Sequence, residues 1–309
     1  MNPLVSIMIA TYNQPDYIVL AVESCLAQDY ENIEVVVGDD STNNDVYNAL
    51  LPFFENKKFK YFRNTKNLGR VNNYKELLFN YSKGDWAIML DGDDYYIDGT
   101  FISKAVSWIS KNEHVVLVAA GHLIMDEVNN IKTVELLTKE DKVFDGKEIF
   151  YKKIKLGQHS TNLYNRKLAM DLDFYRIESM GADSEGLFRL CLHGQVVYFA
   201  DIVVHWRIHY QNNTFKSEDA LKQMHEMIFI DEVYKYSLNY LDIKSAKDWR
   251  MSMYKSMTYH IVNLAEKSKS YFTVFRSLMW ASEFWGILDT LQYLKTYTYR
   301  TVFKKENKI

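Results

Sequence analysis

Hydrophobic and polar positions alternate along the first third of the chain with two distinct periods. Leu4 to Ala10 (LVSIMIA), Ile33 to Gly38 (IEVVVG), Phe59 to Phe62 and Trp86 to Leu90 are short, nearly continuous apolar runs. That is the pattern of strands covered on both faces. Between them, apolar residues recur at helical spacing. Pro15 opens one such segment, with Ile18, Val22, Cys25 and Leu26 along a stripe. Asp45 to Phe54 and Asn72 to Tyr81 predict two more helices. Strand and helix in alternation imply right-handed βαβ units around a mainly parallel sheet. Beyond Phe101 the alternation weakens. Val115 to Ala120 and Gln195 to Ala200 read as strands, Lys147 to Ile154 and the stretch from Asp183 through Leu192 as helices, and Leu123 to Lys142 as strands and loops of poor periodicity. Ser217-Glu218-Asp219 makes a good helix start, and from there the chain reads as mostly helical.

Each early strand hands over to a polar turn: Thr11-Tyr12-Asn13, Asp39-Asp40, Asn67-Leu68-Gly69-Arg70 and Asp91-Gly92-Asp93-Asp94. The carboxyl ends of parallel strands share one edge, so turns scattered over 80 positions of sequence converge on one crevice. The last turn is the densest. Three carboxylates within four residues repel one another and are tolerated cheaply only in water or around a cation. A hard divalent ion that takes one or two carboxylates and fills its other positions with phosphate oxygens suits them. An acidic turn has the same composition.

The composition is globular, with 309 residues, 48% hydrophobic, 25% charged and only 3 Pro. A net charge of −3 argues against a general nucleic-acid binder. From Lys267 to Ile309, six Lys and two Arg stand against Glu283, Asp289 and Glu306, a balance of +5 that leaves about −8 for the first 266 residues. Cys25 and Cys191, far apart in apolar surroundings, read as small core residues of a reduced compartment. Met1-Asn2-Pro3 lacks the basic region of a signal peptide, and no run approaches the ~20 apolar residues of a membrane span. A cytoplasmic location is expected.

The turns suit a nucleotide. A Tyr12 ring can stack on a base, an Asp40 carboxylate can accept from a base N–H or a ribose hydroxyl, and Arg70 suits a diphosphate. A capped helix start and solvated turns would use the same residues. Asp183 and Glu185 could each activate a hydroxyl, and Asp183 would equally serve as a helix cap. In His205-Trp206-Arg207-Ile208-His209, alternate residues of an extended segment share a face, so His205, Arg207 and His209 could converge as metal ligand or phosphate contact.

With those residues assembled, the chain resembles an inverting glycosyltransferase of family 2 with the GT-A fold. Val5 to Asn13 is similar to that family's opening strand and nucleotide turn, and Val35 to Ser41 to its second strand and base-binding acid. Asn67-Leu68-Gly69 matches its Asn-x-Gly turn, and Leu90 to Asp94 its DxD metal motif. Asp183-Ser184-Glu185 with Phe188-Arg189-Leu190 and Gly194 resembles its catalytic-acid region, and Arg207-Ile208-His209 its closing Arg-x-His element. The ordered set spans residues 4 to about 214 and is far more specific than any member.

The resemblance implies a GT-A sheet, mainly parallel but mixed, in a catalytic domain over 1–215. Its nucleotide half is 1–115 and its acceptor half 116–215, with a helical extension over 216–309. It implies a nucleotide-diphosphate sugar, first a UDP-sugar, with Mn²⁺ or Mg²⁺, and a glycan or lipid-linked saccharide acceptor in surface-polysaccharide or glycoconjugate synthesis. Thr11, Tyr12, Asn13, Asp40, Asn67, Gly69, Arg70, Asp91, Asp93 and Arg207 would hold the donor, and Asp93, Asp94 and His209 the metal. Asp183 would be the base, with Glu185 the alternative. Trp280, Phe284, Ile287, Leu288 and Leu291 form an apolar stripe beside Lys295, Arg300, Lys304, Lys305 and Lys308. It suits either a peripheral contact with the inner face of the plasma membrane or packing on the domain or a partner. A nicotinamide oxidoreductase would need a Gly-rich turn after Ala10, which is missing, and a DxD phosphatase would carry its acids after the first strand. A catalytically silent nucleotide-sugar-binding or scaffold protein is the remaining alternative.

Overall fold

The computed structural model describes residues 2–209 and 227–267, the last eight through their backbone alone. The chain divides into two compact units. One holds Met1–Glu178 and Ala182–Asn212, the other Ser179–Gly181 and Asn213–Ile309.

The first unit is built on a mixed sheet of ten strands. Its parallel half has the order β3 (Phe59–Arg63), β2 (Ile33–Asp39), β1 (Val5–Thr11) and β4 (Trp86–Asp91). Every residue of β1 and β2 is buried, as their unbroken apolar runs require. Two polar residues inside them satisfy each other. Ser6 Oγ donates to Glu34 at 2.5 Å, and Glu34 also accepts from Lys60 Nζ and the Lys83 N–H, both at 2.5 Å. The helices that follow these strands are α1 (Pro15–Leu26), α2 (Asp45–Leu50) and α3 (Arg70–Glu76). Pro15 starts α1, and Ile18, Ala21, Val22 and Cys25 are the buried face. After β4 come the two-residue strand β5 (Tyr95–Tyr96) and α4 (Phe101–Lys111), which buries Phe101, Ile102, Ala105 and Val106.

The other half of the sheet departs from simple alternation. It contains β6 (Val115–Asp126), β7 (Ile131–Glu135), β8 (Lys142–Asp145), β9 (Asn162–Asn165) and β10 (Gln195–Ile208). The four-residue β9 runs antiparallel between β4 and β6, joining the two halves. It is too short, with Asn at both ends, to carry a periodic signature. β10 extends to Ile208 where the apolar run predicted an end at Ala200. Register shifts between Tyr198 and Ile202, and between Ile202 and Val204, bend it. Its first part pairs with β8, whereas Val204 and His205 pair with Tyr96 and Tyr95 of β5, immediately after the acidic turn. Helices α5 (Gly146–Tyr151), α6 (Arg166–Asp171) and α7 (Ala182–Cys191) complete the unit. The fold is thus α/β with a mixed sheet, as the motifs implied.

In the second unit, α8 (Ile228–Ser237) and α9 (Ile243–Lys267) are joined by Arg250 Nε, 2.7 Å from Asp231, with Trp249 buried. Among the described residues no helix is long and apolar enough to cross a membrane. The predicted helix start at Ser217 and the apolar and basic stripe from Trp280 onward lie outside the described residues.

Gly146, at the start of α5, tests how closely these elements meet. Its N–H donates to Gly194 O at 2.9 Å, and a Cβ there would fall 1.6 Å from the backbone oxygen of Cys191. No side-chain rotation relieves a backbone clash. Gly146→Ala should cost about 3 kcal/mol of unfolding free energy, measured by urea denaturation.

Candidate active site

The sheet registers deliver the predicted turns to one place. Thr11 pairs with Asp39, and Ala10 with Asp91, so the ends of β1, β2 and β4 lie side by side. Side chains then bind the turns together. Asn13, at φ 52°, donates its N–H to Ser41 Oγ at 2.8 Å, and its side-chain oxygen accepts from the Thr42 N–H at 3.1 Å. The Asp40 N–H donates to Thr11 O at 3.0 Å. The Asp40 carboxylate accepts from the N–H groups of Leu68 at 2.8 Å and Gly69 at 2.9 Å, and from Asn64 Nδ2 at 3.0 Å. Asp40 therefore folds the Asn67-Leu68-Gly69 turn, helped by Asn67 Oδ1, which also accepts from Gly69 at 2.9 Å. Gly69 has φ 82°, a conformation that glycine adopts without strain. Tyr12 is 49% exposed, and the buried Thr11 Oγ1 has no hydrogen-bond partner.

Gly92 lets the acidic turn close against β1. Its N–H donates to Ala10 O at 2.9 Å, and a Cβ would meet Thr11 Oγ1 at 3.0 Å. Oxygens of Asp91, Asp93 and Asp94 lie within 4.8 Å of one another, but their surroundings differ. Asp91 accepts from Tyr74 Oη at 2.6 Å and faces His159 Nε2 at 3.1 Å. Burial pushes its carboxyl up, and the His159 charge, with hydrogen bonds from His159 and Tyr74, more than reverses that, to about 2. Asp93 faces His209 Nε2 at 2.9 Å. Asp94 is 1% exposed; one oxygen accepts from the Arg207 N–H at 2.9 Å and the other has no hydrogen-bond partner. Burial first, and then Asp93 and Asp91, raise the Asp94 carboxyl well above the ordinary carboxylate range. An unsatisfied buried oxygen among converging hard donors fits a divalent cation such as Mn²⁺ or Mg²⁺.

The bent end of β10 closes one side. The Arg207 guanidinium lies 5.2 Å from the Tyr17 ring centroid and 4.8 Å from that of Tyr95. Tyr17 in turn stacks on His209 at 4.6 Å and 22°. His205 Nδ1 is hydrogen-bonded to Tyr95 Oη, which keeps His205 on the same face as Arg207.

Asp183 stands on another side, as the second residue of α7 and inside the helix rather than at its cap. It is half-buried and makes no hydrogen bond or ion pair among the described residues. Its charge acts on Arg70, Tyr74, His159 and Tyr175, and Asp91 acts on the first three of these. For Arg70, loss of solvent lowers the guanidinium, but Tyr74, Asp183 and Asp91 outweigh it. Glu185 is in a different situation. It is 0% exposed and accepts from Arg176 Nε and Arg189 Nη2, each at 2.8 Å.

Residues 6–173, more than half of the chain, match the family described as glycosyl transferase family 2. The chain belongs to this family. Among its relatives, WfaP of Escherichia coli, a UDP-Glc:α-D-GlcNAc-diphosphoundecaprenol β-1,3-glucosyltransferase, is 35% identical over 113 residues, covering 34% of this chain and 41% of that protein. An uncharacterised glycosyltransferase of Haemophilus influenzae is 30% identical over 119 residues, covering 38% of this chain and 36% of that one. The chain thus spans less than two thirds of the length of the curated relatives it matches. Two solved structures share the fold. TarS 1–349 of S. aureus, in complex with UDP, has a TM-score of 0.60 at 18% identity, covering 81% of this chain and 70% of that one. PcManGT of Pyrobaculum calidifontis, a mannosyltransferase in complex with GDP-Man and Mn²⁺, has a TM-score of 0.60 at 14% identity, covering 96% and 79%. The mixed sheet of this family 2 chain is accordingly a GT-A fold.

Within that fold, sequence reasoning missed Tyr74 and His159, which hold Asp91, and Tyr17 and Tyr95, which flank Arg207. Tyr74 follows Arg70 by four residues in α3, the one spacing that could have flagged it. His159 lies just after the loop Gly157-Gln158 and carries no periodic signal. The contrast between the two acids of α7 is testable by urea denaturation. Glu185→Gln leaves two arginines without their carboxylate and should cost about 3 kcal/mol, whereas Asp183→Asn should change stability by less than about 0.5 kcal/mol.

Proposed function

We propose that this chain transfers a sugar, with inversion, from a nucleotide-diphosphate donor to a hydroxyl of a glycan or lipid-linked acceptor. A UDP-sugar is the donor the reading favours. The observation that supports it is that Asp183, without a hydrogen bond or ion pair among the described residues, acts on the same Arg70, Tyr74 and His159 as Asp91 of the acidic turn. WfaP, whose name carries a UDP-glucose donor and a diphosphoundecaprenol-linked acceptor, supports this donor and acceptor class. The UDP complex of TarS and the GDP-Man and Mn²⁺ complex of PcManGT agree with a nucleotide ligand. Residues 1–215 would form the catalytic part and 216–309 a helical extension.

In this reading the base and ribose lie over Thr11, Tyr12 and Asn13, along the turn that Asp40 folds around Asn67 and Gly69. Asp93, Asp94 and His209 would hold a divalent cation, which supplies positive charge to a departing nucleoside diphosphate. Asp91, fixed by Tyr74 and His159, keeps the turn in place. Asp183 accepts the acceptor hydroxyl proton as that oxygen bonds to the anomeric carbon and the bond to the diphosphate breaks on the opposite face. Arg70 sits close enough to Asp183 for the carboxylate to act on its guanidinium. The hydrogen bonds that hold both oxygens of Glu185 to arginines favour Asp183 over it as the base.

The test is UDP release from a panel of UDP-sugars with Mn²⁺ and hydroxyl acceptors. Asp183→Asn should lower transfer by about 100-fold or more while UDP still binds. Transfer within tenfold of the parent in Asp183→Asn would remove Asp183 from its role.

A further inference from the structure

Arg207 is held in an unusual way for an arginine beside an acidic cluster. Its guanidinium lies over the rings of Tyr17 and Tyr95, at 5.2 and 4.8 Å from their centroids, and its side chain is 12% exposed. Nε lies 3.3 Å from Glu127 Oε1, at the exposed end of the hairpin between β6 and β7. Neither Nη1 nor Nη2 has a hydrogen-bond partner among the described residues. Two aromatic rings and one carboxylate thus lie against the guanidinium, and its two terminal nitrogens are left over.

The two rings are themselves fixed. Tyr17 stacks on His209, whose Nε2 meets Asp93, and Tyr95 is hydrogen-bonded to His205 and paired with it across β5 and β10. The result is a chain of ring contacts around one guanidinium, running from His209 through Tyr17, Arg207 and Tyr95 to His205. The backbone N–H of Arg207 ties these contacts to Asp94. A guanidinium fork matches a phosphate bidentately only when its plane is held, and stacked rings hold it at small entropic cost.

We infer that Tyr17 and Tyr95 are positioning residues that clamp the Arg207 plane, so that Nη1 and Nη2 bind the diphosphate of the donor. This rests on the nucleotide-diphosphate reading above. The clamp acts on the phosphates and leaves the nucleoside to the Thr11 and Asp40 turns, so it discriminates ligands by phosphate count. A flexible arginine would add affinity without that selectivity. Glu127 balances the charge of Arg207 from the hairpin side.

The experiment is calorimetric titration of the 309-residue chain with UDP and with UMP, each with Mn²⁺, in parallel with thermal melts. Each cation–π face lost should weaken UDP binding by about tenfold. Tyr17→Leu and Tyr95→Leu should show that loss for UDP and less than about twofold for UMP, with melting temperatures close to the parent. Tyr17→Phe keeps the ring and should restore UDP affinity to within about twofold. Unchanged UDP affinity in both leucine variants, or an equal loss for UMP, overturns the clamp and leaves the donor reading standing. A parent chain that binds neither UDP nor, in the same titration, GDP with Mn²⁺ overturns both.

Discussion

Two carboxylates 4.8 Å apart repel by roughly 3 kcal/mol at an effective dielectric of about 20, and the end of β4 brings three into that range. The surroundings answer for each differently. Asp91 is paid for by the Tyr74 hydroxyl and the His159 ring, which hold it ionised. Asp93 meets His209. Asp94 receives only the backbone N–H of Arg207, keeps one oxygen unsatisfied and holds its proton beyond the usual range. A carboxyl raised in the folded state costs stability as pH climbs out of the ordinary carboxylate range, because the unfolded chain has already released that proton. A bound cation would offset that cost, and the strain would then be confined to the place where a ligand can relieve it.

Much of the architecture can be traced to placing these groups. The parallel registers of β1, β2 and β4 set the polar turns after β1 and β2 level with the acids, and Gly92 allows the acidic turn to lie against Thr11. The irregular pairing of β10 bends it away from β8 and onto β5, which carries Arg207 and His209 to the acidic turn from more than a hundred residues downstream. Asp183 arrives in the first turn of α7, while Glu185, two residues on, faces inward to Arg176 and Arg189. A difference of two positions on a helix separates an unpaired carboxylate from a buried structural one.

The parallel half of the sheet and most of its turns were legible because buried parallel strands leave continuous apolar runs, as in Val5 to Ala10 and Trp86 to Leu90. The half beyond Phe101 was harder to read. β9 has four residues, β5 has two, and the bend of β10 depends on partners that local pattern does not reveal. The acids, Arg207, His209 and Asp183 could be named because charged residues at strand ends and helix starts stand out. Their supports could not. Tyr74, His159, Tyr17 and Tyr95 are ordinary core-forming or turn residues in sequence, and only the tertiary fold sets them against a carboxylate or a guanidinium. The different surroundings of Asp183 and Glu185 were likewise illegible, because they depend on Arg176, in the loop before α7, and on which face of the helix is buried.

The central claim is that the acidic turn is a cation site serving a nucleoside diphosphate. X-ray diffraction above the manganese edge, from crystals grown with Mn²⁺ and UDP, tests it most directly. The account predicts an anomalous peak at about 2.1 Å from oxygens of Asp93 or Asp94, with UDP phosphate oxygens completing its coordination. Ordered UDP with no anomalous peak at these carboxylates, or a peak at a site remote from them, would contradict it.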